Sequence, residues 1–297
     1  MTVLPQKKSD FAETTHTLDN SAIQKLNSVK TTFVIGLPRS GTTLLAYLLA
    51  GGDHVLSLSE PFLSRAVCRH RLLNVIFFPK IRKYRISPPE NSDEIGFLSY
   101  LKNFSSNLGF SYLIIKETFR LEPYFENITL LNHIANSGEP VAAITRHPYD
   151  SAASTLKMFR QWRGVTGKLM SIIISGFPVF NEDRNVIEWF AENWLSFARW
   201  CKQRQLFVVR YESLVESPDP SLRELCERYN IPFTQKMLDN NHPHFFFGVS
   251  GDSGVLNKRN EKLYVRPVGR RDQLKPEFID IIKKRCSQAA EELGYSL

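Results

Sequence analysis

The residues best equipped for chemistry stand together at 36–43, as Gly36-Leu37-Pro38-Arg39-Ser40-Gly41-Thr42-Thr43. They follow the β-branched and aromatic run Phe33-Val34-Ile35 and lead into an apolar segment with helical spacing. A strand, a glycine-bracketed loop and a helix in that order aim backbone N–H groups and a helix N-terminus at one point, which makes a cradle for a phosphate-like anion. Against the nucleotide pattern G-x-x-x-x-G-K-[ST], Gly36, Gly41 and Thr43 are in register, but Thr42 stands where the lysine belongs. The cation comes three residues earlier, as Arg39. Thr42 and Thr43 also suit ordinary helix capping, a role compatible with anion binding. The loop is built for an anion, but not for a triphosphate gripped by that lysine.

A second segment, Ala143-Ile144-Thr145-Arg146-His147-Pro148-Tyr149-Asp150-Ser151-Ala152-Ala153-Ser154, repeats the geometry. A strand ends in Arg146, Pro148 opens a helix, and Ser154 lies two turns in. A guanidinium at a strand end suits bidentate capture of a phosphate; taken alone, Arg146 is better explained as a salt-bridge partner, and only together with the first loop does phosphate capture become the preferred reading.

The elements that must position these residues alternate. Short, nearly continuous apolar runs predict parallel strands at 31–36, 54–58, 111–116, 140–145 and 205–210. Helices are predicted at 42–50, 124–136, 149–160, 185–203, 218–229 and from Pro276 to about Leu293, where Gly294 supplies a stop. In the helix over 185–203, Ile187, Phe190, Trp194, Phe197 and Cys201 form one apolar stripe, and Trp189, Trp194 and Trp200 are expected in the core. The expectation is one α/β domain, a P-loop-like doubly wound parallel sheet flanked by helices over 30–297, preceded by a polar leader at 1–29. Ligands in such sheets bind at the carboxyl ends of the strands.

Composition sets the bounds. The 297 residues, 42% hydrophobic and 23% charged, are ordinary for a soluble globular chain with a substantial core. A net charge of +8 points to anionic partners without choosing among them. Cys68, Cys201, Cys226 and Cys286 are far apart with no C-x-x-C pair, which argues against a zinc site and a disulfide framework and fits a reducing compartment. No run approaches the roughly 18 apolar residues of a membrane span, so a cytoplasmic protein is expected. Aromatic and basic residues are not interleaved on one predicted face, which disfavours nucleic acid.

With these residues in view, the chain resembles the sulfotransferases that use 3′-phosphoadenosine 5′-phosphosulfate (PAPS). Pro38-Arg39-Ser40-Gly41-Thr42-Thr43 is similar to the family's 5′-phosphosulfate loop, and Arg146 through Ser154 to its R-x7-S segment for the 3′-phosphate. Val209-Arg210-Tyr211-Glu212-Ser213-Leu214 is similar to the family's R-Y-E-D-L, and Val268-Gly269-Arg270 to its V-G-R-W-R. Arg271-Asp272 departs from that last pattern. The resemblance runs in order from about residue 31 to 297, and is closer to the carbohydrate, tyrosyl-protein and bacterial type than to the cytosolic type with K-T-H. Here Lys116-Glu117-Thr118 stands in place of K-T-H.

The resemblance implies sulfuryl transfer from PAPS to an acceptor hydroxyl, with no metal. It implies that Arg39, Ser40, Gly41, Thr42, Thr43, Arg146, Ser154, Tyr211 and Arg270 hold the nucleotide, with Arg39 and Lys116 stabilising the charge in transfer. Glu60, directly after the strand at 54–58, is the first choice of general base. Its other role would be a helix-capping carboxylate before Phe62. Glu117 is the second base candidate, or else a surface partner of Lys116 or Arg120. His147 is expected to be structural, and His242 and His244 to border an acceptor pocket or to be bland. Residues 61–89 carry seven Lys/Arg and no acid, a patch suited to an anionic acceptor, an acidic carrier or a membrane surface, or else a solvated helix. Acceptors of sugar, lipid, peptide-tyrosine or carrier-bound type stay open. Two other classes remain beside this one: a P-loop small-molecule kinase, and a non-catalytic anion-binding module.

Overall fold

The structure is a computed structural model that describes residues 29–62, 93–119, 131–132, 134, 136–161, 180–239, 246–248 and 268–297. The leader up to residue 28, the basic residues 63–89, His242, His244 and the segment 249–267 lie outside the described residues.

Six strands form one sheet: β1 (Lys30–Gly36), β2 (Val55–Ser59), β3 (Tyr112–Thr118), β4 (Val141–Thr145), β5 (Phe207–Arg210) and β6 (Phe246–Gly248). Their order is β5-β4-β1-β3-β2-β6 and every pairing is parallel. The connections run to one side of β1 through β2 and β3, then cross to β4 and β5. A crevice therefore opens at the carboxyl ends of β1 and β4, where the order reverses.

Strand alternation divides the core between two faces. Phe33 and Ile35 of β1 join a cluster with Trp194, Phe197 and Ile282, whereas Val34 joins Leu45, Leu48, Leu49 and Leu222 on the other side. Helix α1 (Thr42–Leu49) and α6 (Pro218–Arg228) contribute to the second face. Helices α3 (Pro148–Gln161), α4 (Asp183–Gln203) and α7 (Pro276–Glu292) pack together over the first. The predicted stripe of α4 is buried throughout, and Trp194 and Trp200 lie in the core.

The predicted strands and helices are present with ends shifted by up to two residues where they are described; of the helix at 124–136, residues 131, 132, 134 and 136 are helical. Among the described residues, two short 3-10 helices (Gln235–Leu238 and Arg271–Gln273), two α-helices and one strand were not anticipated. Helix α2 (Glu94–Asn107) carries Gly96, Ser99, Ser105 and Ser106, weak helix formers that blur its periodicity; its start is marked by Asp93, whose side chain accepts from the Gly96 N–H at 2.7 Å. Helix α5 (Tyr211–Glu216) is only six residues long. Strand β6 has three residues and exists by pairing with Ser57–Ser59.

Candidate active site

The loop after β1 is held by two close approaches. A Cβ on Gly36 would stand 2.5 Å from the Ile144 carbonyl oxygen and 2.6 Å from Ser40 Oγ. Gly41 has φ 102°, and a Cβ there would stand 2.5 Å from the Tyr211 ring. The Ser40 hydroxyl and N–H both donate to the Leu37 carbonyl, at 2.7 and 3.1 Å, and close the turn. Gly41 is the N-cap of α1 and offers no side chain, so the capping role open to Thr42 and Thr43 falls on neither. Both threonines are buried in the first turn of α1.

Arg39 sits at φ 70°, in the left-handed region, which costs a non-glycine residue about 1 kcal/mol or more. Its Nε donates to Ser154 Oγ at 3.2 Å. The loop arginine and the serine of the second segment, 115 residues apart, are thus in contact. In α3, Asp150 and Ser154 are one turn apart and share a face. Arg146 follows β4 with its side chain 1% exposed. Its guanidinium lies 4.4 Å from the centre of the Tyr211 ring and 3.8 Å from Asp150 Oδ2. Burial lowers its pKa; Tyr211, Asp150 and Glu212 counteract this, while the Arg270 charge adds to it. The Arg146 guanidinium and the Arg270 N–H both stand against Asp150, at 3.8 and 2.6 Å.

Glu60 and Lys116 meet at the next strand ends. Ser59 pairs with Lys116 in the β2–β3 register, and the Glu60 N–H donates to the Lys116 carbonyl at 2.6 Å. Lys116 Nζ donates to Glu60 Oε1 at 2.6 Å, and both side chains are 4% exposed. The Thr118 hydroxyl donates to the same oxygen. Glu60, like Arg39, is a non-glycine residue at positive φ, 55°. Glu117 points to the opposite face of β3, where its Oε1 accepts the Phe62 N–H at 2.9 Å. The capping bond foreseen for Glu60 is therefore made by Glu117. It is buried, not a surface partner of Lys116.

The surroundings of Arg146 include residues that sequence reasoning passed over. Its carbonyl accepts from Trp194 Nε1 at 3.4 Å. The His147 N–H donates to Glu212 Oε1 at 2.9 Å, and Glu212 Oε2 accepts from the Tyr295 hydroxyl at 3.1 Å. The Tyr295 hydroxyl also lies 3.0 Å from Thr145 Oγ1. Burial raises the Tyr295 pKa. Tyr295 carried no local signal, because its role depends on α7 returning the chain to β4. The acid in the R-Y-E stretch was a signal for Glu212.

A parallel α/β sheet with an anion loop after its central strand and a buried arginine beside it defines the P-loop-like class of fold. Within that class the chain belongs to the sulfotransferase family: the profile of the sulfotransferase domain matches residues 30–294. Members of this family draw the sulfuryl group from PAPS, and the chain is accordingly a sulfotransferase. Among solved structures, it is similar to the sulfotransferase domain of the Synechococcus PCC 7002 olefin synthase. That match has 18% identity and a TM-score of 0.53, over 91% of this chain and 96% of that one. A sulfotransferase from Alicyclobacillus acidocaldarius matches at 14% identity and TM-score 0.47, over 90% of this chain and 97% of that one. A mouse sulfotransferase complexed with PAP also matches at 14% and 0.47, over 92% and 91%. A sequence comparison with curated proteins gave no match. Among the described residues, no helix is long and apolar enough to cross a membrane.

Proposed function

We propose that the chain transfers the sulfuryl group of PAPS to an acceptor hydroxyl by in-line displacement, with residues 30–297 as the catalytic domain. The observation that carries this reading is the Arg39–Ser154 contact, which ties the loop after β1 to the helix after β4. A donor with a 5′-phosphosulfate and a 3′-phosphate needs two linked anion sites. Ser40, Gly41, Thr42 and Thr43 hold its 5′ end through backbone N–H groups and hydroxyls at the start of α1. Arg146, Ser154 and Arg270 take the 3′-phosphate, and Tyr211 spans both sites from its place against Gly41 and Arg146.

Glu60 accepts the acceptor's proton as the new S–O bond forms. The bridging S–O bond breaks, its electron pair stays on the 5′-phosphate oxygen, and adenosine 3′,5′-bisphosphate leaves. Arg39 and Lys116 stabilise the charge moving onto that oxygen. Lys116 lies against Glu60, which supports a single cation serving both the base and the departing group. The three described cysteines are buried thiols, in keeping with a reducing, cytoplasmic setting.

The test is transfer of label from [35S]PAPS to a panel of sugar, lipid, phenol and carrier-bound hydroxyl acceptors, with and without chelator. Label transfer that persists in chelator supports the reading. Binding of ATP–Mg²⁺ without binding of adenosine 3′,5′-bisphosphate overturns it in favour of a kinase.

A further inference from the structure

Asp150 is an acid in the midst of a site assembled for anions. It is 2% exposed and sits in the first turn of α3. Its two oxygens are directed toward the chain itself. Oδ1 accepts the Arg270 N–H at 2.6 Å, and Oδ2 accepts the Gly269 N–H at 3.0 Å. The same Oδ2 stands 3.8 Å from the Arg146 guanidinium.

This carboxylate therefore touches both arms of a site whose two cations repel each other. Arg146 reaches it through its side chain and Arg270 through its backbone. Gly269 has φ 79°, so the chain turns there to present two successive N–H groups to one carboxylate. Charge-assisted bonds of this kind are the strong ones, and a carboxylate can take both at once. Beyond the clamp, the Gln273 N–H donates to the Arg270 carbonyl at 3.0 Å, and Leu274 enters the core.

Resting on the reading of Arg146 and Arg270 as the 3′-phosphate site, we propose that Asp150 is a positioning residue. It pins the segment 269–270 beside Arg146 before the nucleotide arrives, and so sets how strongly the enzyme prefers a nucleotide bearing a 3′-phosphate. Asp150 makes no contact with the phosphate. Its effect passes through the placement of Arg270 and, by the 3.8 Å approach to its guanidinium, of Arg146.

Calorimetry with adenosine 3′,5′-bisphosphate and adenosine 5′-monophosphate tests this on the full chain. In the unmodified protein the bisphosphate binds more tightly. In Asp150→Asn, one acceptor oxygen becomes an amide that cannot receive an N–H. The bisphosphate preference is expected to fall about 10-fold or more, with the monophosphate Kd within about 2-fold. A general loss of structure would weaken both ligands together, and that outcome overturns the proposal, as does an unchanged preference. In an Arg270→Ala background the Asp150→Asn effect on preference is expected to shrink to the part that passes through Arg146; fully additive effects also overturn it. Amide exchange in the unmodified protein decides the matter if D150N does not fold. Gly269 and Arg270 should be protected without nucleotide, and free exchange there refutes a pre-set clamp. Failure of the unmodified protein to bind the bisphosphate at all would instead refute the 3′-phosphate reading itself.

Discussion

Lys116 Nζ and Glu60 Oε1 are 2.6 Å apart in a buried ion pair formed where β2 and β3 end side by side. Strand parity selects the partners. Lys116 and Thr118, two residues apart, face Glu60, while Glu117 between them faces away and holds the Phe62 N–H. This distinguishes the two candidate bases by position. Glu60→Gln is expected to lower kcat by about 10²-fold or more, leaving the Kd for adenosine 3′,5′-bisphosphate within about 2-fold. Both substitutions should lower the melting temperature, Glu60→Gln by unpairing Lys116 and Glu117→Gln by weakening the hold on the Phe62 N–H, but Glu117→Gln should change kcat far less. Steady-state kinetics beside calorimetry and thermal melts separates the two.

The ion pair also has a stability signature. Removing one partner of a buried pair leaves the other charge unpaired, at a cost of about 3–5 kcal/mol. Lys116→Met is therefore expected to destabilise strongly, and Lys116→Met with Glu60→Gln less than Lys116→Met alone. Denaturant unfolding of the two variants measures the difference; equal losses would mean the charges are not coupled.

Gly41 is tightly constrained in the loop after β1. Gly41→Ala meets both a left-handed φ and the Tyr211 ring, so it should cost more than about 1 kcal/mol and push Tyr211 from Arg146. Thermal unfolding and nucleotide titration should both register the change. A variant with unaltered melting and affinity would show that the loop adjusts freely.

Arg146→Lys keeps the charge and loses the planar fork that lies over Tyr211. The Kd for adenosine 3′,5′-bisphosphate is expected to rise about 10-fold, because a lysine cannot reproduce bidentate contact. Affinity for adenosine 5′-monophosphate should change far less. Calorimetry reads both.

Stability should fall on the alkaline side. Burial pushes the thiols of Cys226 and Cys286 up to about 12 and raises Cys201 as well. In the unfolded chain a thiol ionises near about 8.5, so above that pH the unfolded state holds fewer protons than the folded one. Each thiol then removes about 1.4 kcal/mol per pH unit until its folded value is reached. Denaturant unfolding at pH 7.5 and 10 should show the decline, and alkylation at pH 8 should spare the three thiols until the protein unfolds.

The amino-acid sequence by itself determined the sheet class, because apolar runs covered on both faces alternate with amphipathic helices, and β1 to β5 and α4 follow from that rule. It also determined which loop turns tightly after β1, since Gly36 and Gly41 admit close approaches that no other residue type permits there. Even the departure at Thr42, with the cation moved to Arg39, is written in the local order of residues. Tertiary structure decided what local order cannot encode. Lys116 and Glu60 are 56 positions apart, and only the parallel β2–β3 register brings them together. Strand parity, invisible without that register, turns Glu117 away. Asp150 reads in sequence as one acid in a helix's first turn; its hold on Gly269 and Arg270 exists because α7 packs on α3 and α4 and brings the distant segment to the first turn of α3. Spacing along the chain specifies elements, whereas contacts between elements are set by how the whole core excludes water.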